Sequence, residues 1–183
     1  MQGIKLYRFR HYYYLSCMQS NFPPYQTFPT LTSKEIILRQ LTHTDAADIL
    51  EISYYNGVQA VDLSEAIEML NKINQDYLDG SSIHWGIVDA QSEKLVGTCG
   101  YYRGFANDIG ELGYVLKPAF QGRGFMTRAL QQAIVFGIHT VGLQKIIAVT
   151  EKNNMKSQHV LGRLGFSEES SNEDYITYSY PVK

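Results

Sequence analysis

The clearest periodicity in the chain is a stripe of apolar residues three to four apart over residues 63–78, formed by Ala66, Ile67, Leu70, Ile73 and Leu78. That spacing predicts an amphipathic helix. Asp62 stands where its N-cap belongs, Glu65 completes a capping-box spacing, and Asp79-Gly80 ends it. Two strand-like runs follow, residues 83–89 and 95–102, separated by Ala90-Gln91-Ser92-Glu93, which predicts an antiparallel hairpin. A third strand covers 111–116 and is stopped by Pro118. A helix then runs over 125–138, a β-branched strand over 145–150, and a helix over 155–164 that ends at Gly165. The alternating segment 174–180 reads as a terminal strand. Upstream, residues 35–39 form a short strand, and a helix over 45–55 has Thr44 or Asp45 near its cap. Residues 19–33, with Pro23, Pro24 and Pro29, read as an irregular lead-in.

A helix between two strands at the spacing of 111–116, 125–138 and 145–150 is a βαβ crossover, so those two strands are parallel. With the hairpin before them, the expected fold class is α+β with a mixed sheet. Ala129, Leu130, Ala133, Ile134 and Gly137 on one helix, and Val160, Leu161 and Leu164 on the next, read as core. No repeat or low-complexity tract is present.

Composition narrows the function by exclusion. The 183 residues make one domain's worth, expected as an extension and lead-in over 1–33 followed by a single domain over 34–183. A net charge of −2 lacks the basic excess of a protein that grips phosphate backbones, so no nucleic-acid partner is expected. The two cysteines, Cys17 and Cys99, and five scattered histidines have no zinc spacing, so no metal is expected. No run is long enough to span a bilayer, and no Asn-x-Ser/Thr sequon is present; the expectation is a cytoplasmic protein without a membrane partner. Lys5, Arg8, Arg10 and His11 before Tyr12-Tyr13-Tyr14 imitate a signal peptide crudely. The tyrosines and the missing cleavage site argue instead for an extension over residues 1–17, with Met18 as the start.

The chemistry concentrates in Gln121-Gly122-Arg123-Gly124-Phe125-Met126-Thr127, between a strand and a helix. Glycines permit a tight turn and close approach of a ligand, and a helix start presents unpaired N–H groups to an anion. The spacing is neither a dinucleotide fingerprint nor a P-loop. Taken alone, this remains a tight strand-to-helix turn.

Its surroundings add specificity. The stretch resembles the Gln/Arg-x-x-Gly-x-Gly/Ala signature of the GNAT acetyltransferases. Glu111-Leu112-Gly113-Tyr114-Val115-Leu116 is similar to the preceding strand of the RimJ/RimL-like branch. Asn154-Met155-Lys156-Ser157 and Leu164-Gly165-Phe166 resemble that branch's Asn-x-x-Ser and Leu-Gly-Phe segments, and residues 35–39 with Asp45-Ala46 its opening. The ordered matches run from Glu35 to Tyr180. Met126 replaces a small residue of the signature, and Arg128 stands where the branch often has an acidic one.

The resemblance implies a GNAT fold, with a largely antiparallel sheet whose central parallel pair splays around acetyl-CoA and helices on both faces. It implies acetyl-CoA as co-substrate, with Arg123, Gly124, Phe125 and Met126 offering N–H groups to the pyrophosphate inside the loop Gln121, Gly122 and Thr127 complete. Val115 and Leu116 would pair with the pantetheine, the Leu116 N–H steadying the thioester oxyanion at about 3–4 kcal/mol of barrier. Asn154 would hold the pantetheine. Glu111 is the expected base and Ser157 the expected acid for the departing thiolate. The bland alternatives are a strand carboxylate paired with a base, and a helix-start hydroxyl bonded to backbone.

The acceptor would be a primary amine, a protein N-terminus or a small amine. Neutralising an α-amine at pH 7 costs about 1 kcal/mol against about 4.6 for a lysine-like amine, and one carboxylate suits the former. A homodimer stays open. A second reading is a non-catalytic acyl-CoA sensor or scaffold on the same fold. Tyr54-Tyr55 and Tyr101-Tyr102 read as ordinary packing.

Overall fold

The computed structural model describes residues 21–182. The expected extension over 1–17, the start at Met18, and His11 and Cys17 lie outside the described residues. The strands are β1 (Leu31–Thr32), β2 (Ile36–Gln40), β3 (Tyr54–Tyr55), β4 (Val58–Gln59), β5 (Ile83–Asp89), β6 (Leu95–Tyr102), β7 (Ile109–Leu116), β8 (Lys145–Glu151), β9 (Ser167–Ser171) and β10 (Tyr175–Tyr180). The α-helices are α1 (Ala46–Ile49), α2 (Leu63–Leu78), α3 (Phe125–Phe136) and α4 (Met155–Arg163). Eight strands form one sheet in the order β1-β2-β5-β6-β7-β8-β10-β9. Every pairing in it is antiparallel except β7 with β8. The mixed α+β sheet and the predicted crossover through α3 are therefore present.

Side chains alternate across the sheet, and the register decides which face each one serves. His84 lies opposite Gly100, Gly100 opposite Gly113, and Glu111 opposite both Tyr102 and Ile147. These residues share the face that α1 and α2 approach. The other face packs on α3: the Tyr101 hydroxyl donates to the Ala133 carbonyl at 2.9 Å, and Ala129, Leu130, Ala133 and Ile134 are buried. Trp85, fully buried, anchors this second layer.

α2 begins and ends as its stripe predicts, with the Asp62 carboxylate accepting from the Glu65 N–H at 2.9 Å. Its stripe shifts slightly, since Leu78 is exposed and Tyr77 is buried in its place. The helix expected over 45–55 is shorter and uneven: a 3₁₀ turn over His43–Asp45, α1, and a second 3₁₀ turn over Leu50–Ile52. The Ser53 hydroxyl donates to the Ile49 carbonyl and the chain turns extended there. Tyr54-Tyr55 then pairs with Val58-Gln59 around Asn56 (φ 50°) and Gly57 (φ 81°), a two-residue hairpin with both turn residues left-handed.

α3 stops at Phe136, two residues before its expected end, and continues as a wider π-turn over Gly137–Val141. A Cβ on Gly137 would lie 2.2 Å from the Tyr101 hydroxyl, so this turn is built around that buried phenol. The lead-in is ordered against the domain. The Phe28 ring packs against those of Tyr77 and Trp85, and the Trp85 indole N–H donates to the Pro29 carbonyl at 2.8 Å.

Candidate active site

A cavity of about 820 Å³ opens on the α1–α2 face of the sheet. Leu70 and Ile73 of α2 and Ile49 and Ile52 form its apolar wall, and Tyr54 and Tyr55 of the small hairpin line its rim. Glu111, Tyr102, His84 and Ser82 line its base, with Glu151 and Asp76 also on its surface. The Tyr102 ring lies where a Cβ on Gly113 would be, 2.6 Å from that position, which is why this strand carries glycine there. The Tyr102 hydroxyl sits 3.0 Å from His84 Nδ1. Burial pushes the His84 imidazole down to about 4 and the Tyr102 phenol upward, so both are neutral at physiological pH. Glu111 is not bare: the guanidinium of Arg103, on the turn after β6, lies against its carboxylate.

Beside this cavity the sheet comes apart. The β7–β8 ladder pairs Ile109 with Lys145, Gly110 with Ile146 and Glu111 with Ile147, and no further. Beyond Glu111 the two strands diverge, and Gly113 through Leu116 become half-buried. Alternate backbone groups on that stretch of β7 face the opening rather than a partner strand. Val115 and Leu116 still pair with Thr98 and Gly97 of β6, which fixes their side of the opening.

The glycine loop leads from the end of β7 to α3. Gly122 (φ 74°) and Gly124 (φ 78°) are both left-handed, and Gly124 is the N-cap of α3 with no side chain capping the helix. The first-turn N–H groups of α3 are therefore uncapped by any side chain. Phe125 and Met126 are buried in the core, so the large residue at 126 points away from the loop surface. The guanidinium carbons of Arg123 and Arg128 lie 5.1 and 5.4 Å from the Phe125 ring centroid. Arg128 also donates to the Arg123 carbonyl at 2.9 Å and contacts the Glu35 carboxylate at 3.2 Å. Lys156 Nζ donates to Gln121 Oε1 at 2.8 Å, and Gln121 Nε2 to the Leu116 carbonyl at 3.2 Å. Cationic groups thus surround the helix start, where the dipole already favours an anion.

At the far edge of the opening Asn154, which also lines the cavity, caps α4 by accepting from the Ser157 N–H at 3.1 Å. The Ser157 hydroxyl is 2.7 Å from the Tyr114 hydroxyl, not bonded to helix backbone. Burial pushes the Tyr114 phenol up to about 12, so it keeps its proton throughout the neutral range. Glu111 and Tyr114 are three positions apart on β7, about 10 Å of backbone, and by strand alternation face opposite sides.

The sequence-predicted residues therefore gather around one opening in the sheet: Glu111 and Asn154 line the cavity, Ser157 lies beyond it against Tyr114, and the glycine loop stands at its end. Four neighbours were not singled out from sequence. Tyr114 and Arg103 lie far in sequence from, or one turn before, the groups they touch. His84 and Ser82 carry no motif. Of the tyrosine pairs read as packing, Tyr101 is core, whereas Tyr54, Tyr55 and Tyr102 line the cavity. Among the described residues no helix is long and apolar enough to cross a membrane.

A family model described as an acetyltransferase (GNAT) domain matches residues 35–167. The uncharacterized N-acetyltransferase p20 of Bacillus licheniformis is 31% identical over 155 residues, covering 80% of this chain and 86% of that protein. The [ribosomal protein uS5]-alanine N-acetyltransferase of Escherichia coli is 29% identical over 109 residues, 58% of this chain and 56% of that one. In fold, a RimL ribosomal L7/L12 α-N-protein acetyltransferase solved with coenzyme A superposes with a TM-score of 0.75 at 15% identity, covering 84% of this chain and 98% of its own. The divided parallel pair, the glycine loop opening α3 and the span of the matched family model agree with one another: this chain belongs to the GNAT family of acetyltransferases.

Proposed function

We propose that the protein transfers the acetyl group of acetyl-CoA to a primary amine by direct attack, the amine entering through the 820 Å³ cavity and the thioester reaching it through the opening between β7 and β8. The observation that carries this reading is the ladder that stops at Glu111–Ile147. It leaves the only predicted carboxylate of the site at the edge of a gap whose far end is the uncapped start of α3.

The N–H groups of Arg123, Gly124, Phe125 and Met126, with the loop completed by Gln121, Gly122 and Thr127, bind the pyrophosphate, helped by the nearby guanidinium groups. Val115 and Leu116 hold the pantetheine through backbone groups, and the Leu116 N–H receives the charge that develops on the thioester oxygen. Asn154 fixes the start of α4 and with it Ser157. Glu111 accepts the proton of the incoming amine, directly or through a water, displacing Arg103 as its partner. The amine nitrogen bonds to the acyl carbon and the carbon–sulfur bond breaks. The nitrogen sheds its second proton to water as the amide forms, and Ser157 passes a proton to the departing thiolate and takes one back from water, Tyr114 orienting the Ser157 hydroxyl for that donation. An acceptor cavity with three carboxylates and one guanidinium on its surface suits a cationic ammonium group. A soluble cytoplasmic setting, where acetyl-CoA is met, fits this activity.

The Arg103–Glu111 contact favours one competing reading, an acyl-CoA-binding sensor whose carboxylate is already spent. Thiol release from acetyl-CoA, followed with a panel of peptide N-termini, polyamines and small amines, separates the two. Amine-dependent release supports transfer; saturable CoA binding without release with any amine supports the sensor.

A further inference from the structure

Among the described residues that line the cavity, Arg103 carries the one guanidinium. Its backbone has φ 61°, a left-handed conformation where glycine or asparagine is the ordinary occupant, and Gly104 follows at φ 81°. The Gly104 N–H donates to the carbonyl of Ser81, itself a cavity residue, at 2.8 Å. Such backbone outliers gather at functional sites. This turn sets the guanidinium against the Glu111 carboxylate, with 69% of the Arg103 side chain and 20% of the Glu111 side chain exposed. Both groups are open to a molecule that enters the cavity, and an ion pair so exposed contributes little to stability, so Arg103 can yield readily. When an ammonium takes its place on Glu111, the guanidinium is left beside the bound acceptor without its anion. An amine with an uncharged tail gives Glu111 a new partner and takes one from Arg103. An acceptor with its own carboxylate beside the amine supplies both, four charges alternating in place of two.

We propose that the acceptor is a zwitterion, a free α-amino acid, with its ammonium on Glu111 and its carboxylate on Arg103. This rests on the reading that Glu111 receives the amine. The two protein charges are in direct contact, so the two charges of their ligand must be close neighbours as well, as they are on a single α-carbon. The planar fork of a guanidinium takes both oxygens of a carboxylate. A singly charged carboxylate also suits the cavity better than a phosphate, because Asp76 and Glu151 lie on its surface and repel added negative charge. The same repulsion turns away an acidic amino-acid side chain, whereas the wall of Leu70, Ile73, Ile49 and Ile52 receives an apolar one. Arg103 eases the chemistry too. The carboxylate of a free amino acid favours the charged form of its own amine; pairing it with a guanidinium cancels that field and helps the ammonium release its proton to Glu111.

The test measures kcat/KM by thiol release for leucine, leucinamide and isopentylamine, which share a side chain and differ in what stands beside the amine. Arg103→Gln should lower the ratio of leucine to isopentylamine by roughly tenfold or more. Leucine loses the partner of its carboxylate, while isopentylamine no longer contends with a guanidinium for Glu111. The ratio of leucinamide to isopentylamine should hold, which separates loss of a charge pair from general damage to the site. Each ratio is compared between parent and variant, so the unequal basicities of the three amines cancel. Arg103→Lys, which keeps the charge, should recover part of the leucine ratio. The melting temperature of both variants should match the parent's, since the pair is exposed. An unchanged leucine ratio in Arg103→Gln, or a parent that acetylates peptide N-termini or polyamines but not leucine, overturns the zwitterion and leaves acetyl transfer standing. No amine-dependent thiol release with any acceptor would instead overturn the transfer reading, and this one with it.

Discussion

At the scale of single residues, the two proton carriers proposed for the site are held by unlike neighbours. Glu111 touches Arg103, so its carboxylate is free for an amine only once that guanidinium yields. Replacing it by glutamine should spare CoA affinity and lower kcat most at pH values below the pKa of the amine, where the bound ammonium has no acceptor. The deficit should shrink as pH rises and the amine arrives neutral. A pH–rate profile that overlays the parent's would show that bulk water or another group is the base. Ser157 depends on Tyr114 in a different way, through one 2.7 Å bond between hydroxyls. Ser157→Ala should slow turnover roughly tenfold to hundredfold, a thiolate being a fair leaving group without help. Tyr114→Phe should slow it less, and the double variant should be no slower than Ser157→Ala alone, because a residue that acts through another adds nothing once that other is gone. Fully additive losses would place Tyr114 outside this chain of contacts.

At the scale of elements, the glycine loop and the helix it opens work as one unit. Gly124 combines φ 78° with a Cβ position only 2.8 Å from Arg128 Nη1, so any side chain there strains the backbone and meets a guanidinium. Proline would also remove an N–H and demand φ near −65°. Gly124→Pro should weaken CoA binding by at least about tenfold in titration calorimetry, with circular dichroism confirming a folded protein. Undiminished affinity in the folded variant would move the phosphate site elsewhere. The same unit was legible in the sequence, because two glycines, a strand before and a helix after are local signals. So were α2, β5 and β6, whose stripes and alternation depend on neighbours a few residues away. The hairpin of β3 and β4 was not read, although Asn56-Gly57 between Tyr-Tyr and Val-Gln is a local signal for it, because the apolar spacing upstream runs on as if the helix continued to residue 55. β9, Ser-Glu-Glu-Ser-Ser with every residue exposed at the edge of the sheet, has no alternation to read. The Tyr114–Ser157 contact joins residues 43 apart and exists only after β7 and α4 are packed. No local pattern announces such a pair.

For the whole molecule, the buried His84 links cavity and stability. Its pKa is about 4 in the folded protein against an ordinary value of 6.5. Between those two values the unfolded chain binds a proton that the folded protein refuses, so stability is full above about pH 6.5 and falls as the pH drops toward 4. The loss is on the order of 3 kcal/mol. His84→Phe should flatten the melting-temperature curve across that interval; an equally steep curve would assign the acid sensitivity to other groups. A last consequence follows from the sheet dividing after Glu111. A wall with a slot in it has two sides, and on the proposed reading each substrate keeps to its own. The two reactants then never queue for one doorway, and a long acceptor can trail into solvent without obstructing its counterpart's exit. In steady-state terms, spent CoA should compete with acetyl-CoA while acting as a noncompetitive inhibitor toward the amine, and both substrates must be aboard together before anything is released.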